Sequence, residues 1–307
     1  MSVKAEAKEV KAKIFKKGHT SKGISNWLPK LLVSPSFVAM VVFIYGFIFW
    51  TIWISFTDSK LMPNYKFVGL SNYITLFKEP RWWVAFKNLF IFTSLFVLLC
   101  IIFGLILAIL LDQKIKGEGV FLTIYLCPMA ISLIVTGVAW KWILNPELGI
   151  ERLVQQLGFA EFQFRWLVDS NFAIYTVVMA AVWQSTGYAM ALFLAGLRGI
   201  DNSLIEAAKV DGANMFQIYT RVIIPCLRPV FLSCVVILSH IAIKTFDLVM
   251  ALTKGGPGYA TDVPATFMYS FAFNRGRLAI GAASAVIMFV IVISFIVPYL
   301  YIEREGR

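Results

Sequence analysis

Six long apolar stretches constrain the fold of this chain more than any other feature of its sequence. A helix needs about 20 consecutive apolar residues to cross the hydrocarbon core of a bilayer. All six stretches reach that length, and five of them contain no Asp, Glu, Lys or Arg. We number them span one to span six: Pro35–Phe56, Asn88–Leu111, Val120–Trp140, Asn171–Leu197, Val230–Thr253 and Leu278–Ile302. The pattern predicts an all-α integral membrane protein with six transmembrane helices.

The composition supports lipid as the solvent of most of the chain. Charged residues make up 15% of the 307 residues, whereas a soluble domain carries about 25%. No connecting segment is large enough for a separate soluble domain. We therefore expect a basic cytoplasmic tail over residues 1–34, a transmembrane domain over 35–302 and a short cytoplasmic C-terminus over 303–307.

The basic residues predict the orientation in the membrane. Alternate connecting segments differ in their content of Lys and Arg: residues 1–34, 112–118, 198–228 and 303–307 hold 16, while 57–86, 142–169 and 254–277 hold nine. Because basic segments stay in the cytoplasm, both termini are predicted to be cytoplasmic. Eight lysines between Lys4 and Lys30 supply much of the net charge of +11. Their setting favours contact with anionic lipid over binding of nucleic acid.

Outside the spans, the segment 68–88 mixes aromatic and charged side chains. This mixture is typical of a helix that lies in the membrane interface before the chain enters the bilayer. A plain loop is the alternative.

The cytoplasmic segment between spans four and five carries signals for two short helices. Ser203 and Glu206 have the spacing of a capping box, and Gly212 stands where a left-handed residue would end the first helix. Asn214 and Gln217 supply a second start signal. A short helix is marginal alone in water and needs a surface to pack on. We call residues 198–228 the coupling loop.

The first predicted helix offers apolar surface with a single carboxylate, on Glu206. Its apolar residues are Leu204, Ile205, Ala207, Ala208 and Val210. This combination fits a helix that is pressed into a groove on another protein, with an ion pair that fixes its position. An amphipathic helix lying on lipid fits the residue pattern equally well.

A motif in this loop resembles that of permease subunits in binding-protein-dependent ABC importers, which have E-A-A, three residues, G, nine residues and I-x-L-P. The motif stands here as Glu206-Ala207-Ala208, Gly212, Val222, Ile224 and Pro225, with valine for isoleucine and isoleucine for leucine. Segments 67–77 and 252–269 resemble the carbohydrate branch, in subunits related to the maltose permease F protein. His240–Leu248 resembles the glucose/mannose importers of that branch, with Thr245 in place of serine.

The resemblance implies one half of a translocation path, completed by a second homologous permease subunit. It further implies two ATPase subunits that bind ATP and Mg²⁺, a periplasmic sugar-binding protein that delivers a carbohydrate, and a bacterial cytoplasmic (inner) membrane location. The residues implied to contact the ATPase are Glu206, Ala207, Ala208, Asp211, Gly212 and Pro225. The sequence contains no G-x-x-x-x-G-K-[ST] phosphate-binding loop. We therefore expect no cofactor on this chain itself.

Polar side chains inside spans usually face the bundle interior or a water-filled path. Span five carries His240, Lys244 and Asp247 at i, i+4 and i+7, which is one helix face. Lys244 and Asp247 are predicted to pair with each other. In span four, Gln184 and Tyr188 share a face.

A sugar path and interhelical hydrogen bonding both account for these polar residues. Gly187 would let a ligand approach the helix backbone closely. The resemblance places sugar contacts at Gln184, Gly187, Tyr188, Ile241, Ala242 and Thr245. For Lys244, sugar contact and a structural pair with Asp247 both stay open.

Gly255, Gly256 and Gly258 surround Pro257 and predict a tight outer turn after span five. This turn is either a plain connection or part of the docking site for the binding protein.

Two other classes of membrane protein fit the sequence less well. An ion-coupled secondary transporter would need no ATPase and would leave the coupling-loop motif without a role. An intramembrane enzyme would need a catalytic cluster, and His240 and Asp247 lack a nucleophile beside them. The four cysteines and two histidines have no metal-site spacing. We predict neither a catalytic nor a metal site.

Overall fold

The computed structural model describes residues 24–113 and 115–305. Within these ranges, apart from one isolated β-bridge, all regular secondary structure is helical. Most of the predicted basic tail lies outside the described residues. The helices in chain order are α1 Ile24–Ser55, α2 Ser71–Lys78, α3 Pro80–Asp112, α4 Glu118–Ala130, α5 Leu133–Ile143, α6 Ile150–Gln156, α7 Ala173–Arg198, α8 Asn202–Val210, α9 Met215–Ile218, α10 Ile224–Cys226, α11 Arg228–Ile243, α12 Phe246–Leu252, α13 Pro264–Tyr269 and α14 Leu278–Glu305. Two π-helical turns, Tyr219–Ile223 and Ser270–Asn274, follow α9 and α13. The described residues divide into two units, one up to Trp53 and one from Ile54 onward. All packing described below lies within the second.

Spans one, two and four are single continuous helices. Among the described residues, Leu32–Ser55, Pro80–Asp112 and Ala173–Arg198 are each long and apolar enough to cross a membrane. Two further pairs of helices pass the same test only if each pair counts as one bent span. The apolar part of α14, Leu278–Ser294, is shorter. The helical fold is therefore confirmed, whereas the count of six spans and the orientation of the termini stay predictions.

Span three is broken, so the single helix predicted over Val120–Trp140 is wrong. Helix α4 ends at Ala130, two residues after Pro128, and the axis of α5 is bent from it by 100°. Ile131 adopts an extended backbone, and Ser132 caps α5 by accepting a hydrogen bond from the backbone N–H of Val135. A hydroxyl at the N-cap position starts a new helix because it satisfies one of the free N–H groups there.

Span five is also broken. Helix α11 ends at Ile243 and α12 starts at Phe246, with Lys244 and Thr245 between them. The single helix face predicted for His240, Lys244 and Asp247 is therefore wrong. The predicted pairing of Lys244 with Asp247 is wrong too, because no ion pair within the described ranges involves either side chain. Both side chains are exposed in this chain.

The main core forms where α3 packs along α7. A Cβ added at Gly104 of α3 would lie 2.7 Å from the Cβ of Ala189 on α7, so the two backbones approach closely. Fully buried Phe92, Phe96 and Phe193 fill the space on either side. Small residues at the contact are typical of membrane helices, whose association relies on close packing rather than on exclusion of water.

A second, smaller core lies where α2, α3, α13 and α14 meet. Leu76 of α2, Trp82 of α3 and Phe267 and Phe271 of the α13 region are all buried there. The helix predicted within 68–88 therefore exists, but it covers only Ser71–Lys78. The residues from Pro80 onward belong to α3, because proline at the first helical position starts a new helix. Its position in the membrane interface stays a prediction.

Candidate functional site

The coupling loop begins with a capped helix. The side chain of Asp201 accepts a hydrogen bond from the backbone N–H of Ser203 at 2.9 Å and is the N-cap of α8. The predicted capping box of Ser203 with Glu206 is therefore wrong, since both residues lie inside the helix. The hydrogen bond from Ser203 lowers the pKa of the Asp201 carboxyl below its ordinary value. The capping group thus stays charged at neutral pH, next to the positive end of the helix dipole.

The first helix ends and the second begins as predicted. Gly212 has φ of 79°, and its N–H donates to the carbonyl of Lys209 at 3.0 Å. The N–H of Ala213 donates to the carbonyl of Ala208 at 3.0 Å, which completes a Schellman motif. Two reciprocal hydrogen bonds of 2.9 Å between Asn214 and Gln217 form the second capping box. The two short helices around a glycine are therefore confirmed.

The two faces of α8 differ. Ile205 and Ala208 are half-buried against the main core, whereas Glu206 and Ala207 are exposed. Val210 lies 87% exposed on the same outward side as Glu206, one helical turn further along. The exposed side of α8 thus presents the Glu206 carboxylate beside the apolar Ala207 and Val210, with Lys209 also exposed on this helix.

Two apolar residues of the second helix extend this surface and were missed in the sequence. Met215 is 59% and Phe216 77% exposed. Both residues are at the start of α9, shortly after the turn at Gly212. A four-residue helix has no periodicity from which the exposed face could be predicted. Asp211, the C-cap of α8, is exposed beside them.

The second half of the coupling loop is packed into the main core. Ile218 and Ile223 are buried in the main core, at 1% and 6% exposure. The π-helical turn Tyr219–Ile223 follows Ile218 and leads to the short helix α10, whose second residue is Pro225. The segment after α9 is therefore packed against the core and is not a slack connection.

Replacing Gly212 with alanine should loosen the loop without blocking its surface. No atom lies within 4 Å of the added Cβ, so the change acts through the left-handed backbone alone, which costs about 1–2 kcal/mol for a residue with a side chain. We expect amide hydrogen exchange at positions 212 and 213 to accelerate by about five- to thirty-fold. Gly119→Ala is the matched control, because Gly119 also meets no atom and has no positive φ. Equal exchange in both variants would contradict the predicted effect.

A cluster of charges lies at the base of the loop. Arg198, the last residue of α7, donates from Nη2 to Oε1 of Glu118 at 2.7 Å, and its Nε lies 3.8 Å from Oδ1 of Asp112. Three helix ends therefore meet at one guanidinium. The three side chains are 25–43% exposed, so each pair stabilises the fold by less than about 1 kcal/mol.

Gln184 in α7 contacts the break in span three. Its Nε2 donates to the carbonyl of Ile131 at 2.6 Å, and the residue is 6% exposed. The carbonyl of Ile131 is free for this bond because the helix ends there. The Oε1 atom of Gln184 is buried and has no hydrogen-bond partner in the structure. Gln184 therefore supports the break and keeps one acceptor unused.

Gly187 serves close packing in this structure. A Cβ there would lie 1.9 Å from the carbonyl oxygen of Tyr125 on α4. The close approach predicted at Gly187 is thus made by the backbone of span three, and the space is not open to a ligand. Tyr188, one residue on, is half-buried.

The predicted path residues of span five lie at its break. Ala242 is fully buried and Thr245 is 4% exposed, while Ile241 is half-buried and Lys244 exposed. The Thr245 hydroxyl donates to the carbonyl of Ala242, which closes the end of α11. The polar contacts of Gln184 and Thr245 thus go to two different helix breaks. Among the described residues, no hydrogen bond joins the two side chains.

A buried ion pair between the start of α3 and the loop before α13 was missed in the sequence. Arg81 donates to Asp262 from Nε at 2.6 Å and from Nη2 at 3.2 Å, and its Nη1 donates to Ser270 at 2.9 Å. The hydroxyl of Thr266 donates to the same carboxylate at 2.6 Å. The side chains of Arg81 and Asp262 are 11% and 1% exposed. Their positions lie 181 residues apart in the chain, so no local pattern could reveal the pair.

The described residues contain no group of three or more His, Cys, Asp or Glu side chains that could hold a metal ion. The chain thus combines apolar spans, two of them broken, with a short helix, α8, that exposes one side. Residues 100–305 match the family model described as "Binding-protein-dependent transport system inner membrane component". The chain belongs to this family of ABC importer permeases. Because the family is a non-catalytic membrane subunit, the prediction that the chain is no enzyme is confirmed.

Curated relatives resemble the chain along nearly its whole length. A probable ABC transporter permease protein of Pyrococcus horikoshii is 38% identical over 279 residues, which cover 90% of this chain and 96% of that protein. The xylose/arabinose import permease protein XacH of Haloferax volcanii is 37% identical over 273 residues, 88% of this chain and 86% of its own. The trehalose/maltose transport system permease protein MalF of Thermococcus litoralis is 33% identical over 279 residues, 90% of this chain and 94% of its own. The resemblance predicted from the coupling-loop motif is confirmed.

Solved structures support the same fold. The chain superposes with a TM-score of 0.79 on a bacterial ABC transporter involved in the import of the acidic polysaccharide alginate. That match is 22% identical and covers 92% of this chain and 96% of the other. A second structure, the bacterial alginate ABC transporter in complex with alginate pentasaccharide-bound periplasmic protein, gives 0.78 at 21% identity and covers 92% of this chain and 95% of the other.

Proposed function

We propose that the chain is the permease subunit of an ATP-driven importer of carbohydrates and forms half of the translocation path. The observation that carries this proposal is the exposed helix α8, which presents Glu206 and Ala207 within the E-A-A motif. A second, homologous permease subunit supplies the other half of the path. The assembly sits in a cytoplasmic (inner) membrane, with the coupling loop on the cytoplasmic side.

Two ATPase subunits bind ATP and Mg²⁺ in this proposal, because the sequence of this chain lacks a phosphate-binding loop. Each ATPase subunit offers a groove that receives a coupling helix. The carboxylate of Glu206 meets a cation in the groove, and the apolar atoms of Ala207, Val210 and Phe216 fill the remaining space. A short helix gains order from such packing, because it is marginal alone in water.

The mechanism is alternating access without covalent chemistry. Closure of the ATPase dimer on ATP moves α8, and the buried Ile218 and Ile223 pass this movement to the core. The breaks at Ser132 and at Lys244–Thr245 let parts of spans three and five tilt separately. Non-helical backbone at membrane depth is tolerated only where protein or a water-filled cavity satisfies it. Both breaks are therefore suited to line the path.

The proposed path includes Gln184, Tyr188 and Thr245, with Ile241, Ala242, Lys244 and Gly187 beside them. The unused Oε1 of Gln184 is the strongest support, because a buried acceptor without a partner costs free energy until a donor reaches it. A sugar hydroxyl is such a donor. In this conformation α4 covers Gly187, so that position contributes to the path only after span three moves.

Replacing Gln184 with methionine should weaken sugar transport at nearly constant side-chain volume. Loss of one hydrogen bond predicts that KM for uptake rises by about three- to ten-fold. Thr186→Val is the matched control, because the Thr186 hydroxyl bonds to Val182 in its own helix. An unchanged KM in the methionine variant would remove Gln184 from the path and leave it only the role of supporting the span-three break.

Co-purification followed by an ATPase assay tests the proposed function. The chain, expressed with its partner permease, the ATPase and the binding protein encoded with it, should purify as one complex. Sugar-loaded binding protein should then stimulate ATP hydrolysis by that complex. An ion-coupled secondary transporter would instead drive uptake without any ATPase, which is the outcome that would contradict the proposal.

A further inference from the structure

A groove runs along the first half of α3, between this helix, α11 and α14. Its lining residues on α3 extend from Phe86 to Ile101, which is about 22 Å of helix. Eight of the eleven lining side chains are apolar, and the other three, Thr93, Ser94 and Ser239, carry hydroxyls. The volume of the cavity is about 430 Å³. The groove is therefore long, narrow and mostly apolar.

The dimensions of the groove match a single hydrocarbon chain. Its volume divided by its length along α3 gives a mean cross-section of about 20 Å². A hydrocarbon chain is about 4–5 Å wide, because nonbonded carbon atoms pack at about 4 Å, so its cross-section is close to this value. A helix with its side chains is about 10–12 Å across, and its cross-section is at least about four times as large. A helix of a second subunit would therefore cover the groove without filling it.

Thr93 is the lining residue whose polar group lacks a partner. Its Oγ1 atom is buried and has no hydrogen bond to any other described residue. A buried hydroxyl without a partner costs free energy until an acceptor reaches it. A carbohydrate could supply that acceptor, but most of its own hydroxyls would then lie unpaired against apolar side chains. A molecule with a carbonyl oxygen and a long hydrocarbon tail matches the lining better.

A cation and an aromatic ring lie on the groove face of α3, just before the groove begins. Trp83 and Lys87 are one helical turn apart, and Lys87 shares its face with Phe90 and Ser94 at i+3 and i+7. Both Trp83 and Lys87 are exposed, and tryptophan and lysine are typical of the level of the lipid headgroups. Lys87 makes no ion pair with another described residue. Glu79, the nearest acidic residue in the sequence, lies about 12 Å further back along the chain, so the charge beside the groove is positive.

We propose that this groove binds one glycerophospholipid, with its phosphate at Lys87 and an acyl chain along Val97 and Ile101. Thr93 lies about 9 Å beyond Lys87 along the helix axis, between the headgroup and the chain, where an ester carbonyl accepts its hydroxyl. The phosphate supplies the negative charge that Lys87 otherwise lacks. None of the proposed path residues lines this groove, so the lipid site is separate from the path and does not depend on the proposed function.

Native mass spectrometry of the detergent-purified complex tests the proposal, with phosphatidylglycerol as the titrant. The complex contains every subunit that co-purifies with the chain, so a protein that occupies the groove is present as well. Val97→Phe puts a larger apolar side chain into the groove, and we expect it to weaken binding of the tightest lipid at least about ten-fold. Lys87→Gln should weaken it about five-fold, and Thr93→Val, which keeps the shape of the side chain, about three-fold. Because Lys87 is exposed, its replacement leaves the packing intact.

Each of the two main variants has a matched control. Val290→Phe makes the same change at an exposed residue of α14 that does not line the groove. Lys141→Gln removes an exposed lysine from the end of α5. Both controls should bind the lipid within about two-fold of wild type. Binding by Val97→Phe equal to that of Val290→Phe would overturn the lipid site, and equal binding by Lys87→Gln and Lys141→Gln would overturn the position of the phosphate. A wild-type complex that binds no phosphatidylglycerol would assign the groove to another subunit and overturn the proposal.

Discussion

Replacing Glu206 with lysine should abolish sugar uptake while the chain still inserts in the membrane. The Glu206 side chain is exposed and makes no ion pair within the described residues, so its loss leaves the fold intact. In the proposed interface, the Glu206 carboxylate attracts a cation in the ATPase groove. The lysine ammonium would repel that cation instead. Like charges brought together at an interface cost several kcal/mol, so we expect the rate of uptake to fall by at least about a hundred-fold.

The control for this variant is the same substitution elsewhere in the chain. Glu161 is exposed in the predicted outer link, and Glu161→Lys changes the net charge equally without touching the coupling loop. Its uptake should stay within about two-fold of wild type, as is usual for a surface substitution. The ATPase should also fail to co-purify with the Glu206 variant. Normal uptake by Glu206→Lys would show that α8 does not transmit the movement.

Replacing Asp262 with alanine should cause the largest loss of stability among single substitutions in the loop between α12 and α13. The change leaves the Arg81 guanidinium, 11% exposed, without its carboxylate. Breaking a buried pair by removing one partner costs about 3–5 kcal/mol. Thermal unfolding of the detergent-purified chain should show this as a marked fall in Tm, and a protease should cut the loop at Lys254 sooner.

Arg198→Ala provides the comparison for the buried pair. Arg198 makes two ion pairs, but its side chain is 43% exposed, and exposed pairs are worth less than about 1 kcal/mol. The Tm of this variant should change little. If the two variants lost equal stability, burial would not be what makes the Arg81–Asp262 pair strong.

The sequence predicted those parts of the fold that depend on local composition. Long uncharged runs identified α1, α3 and α7, because lipid demands about 20 apolar residues regardless of their order. The breaks in spans three and five were missed, because apolar composition is the same on both sides of a break. Pro128 followed by Ser132 was an available signal for the first break. The polar Lys244 and Thr245 marked the second, but they were interpreted as one face of a continuous helix.

The coupling loop was predicted well for the same local reason. Asn214 and Gln217 cap a helix through bonds that span three residues, and Gly212 ends one through its own backbone freedom. The first cap was predicted at Ser203 and lies at Asp201; both side chains are good N-caps, so residue type alone does not distinguish them. Contacts between distant positions, such as Gln184 with Ile131 or Arg81 with Asp262, cannot be predicted from a single sequence. They depend on which helices the bundle places side by side.

Uptake of labelled sugar into vesicles tests the central claim most directly. Vesicles would hold this chain, its partner permease and the ATPase, with sugar-loaded binding protein outside and ATP inside. The account predicts uptake that stops when ATP is withheld or when the ATPase is left out, whatever ion gradient is imposed. Uptake by the two membrane subunits alone, driven by a proton or sodium gradient, would contradict it.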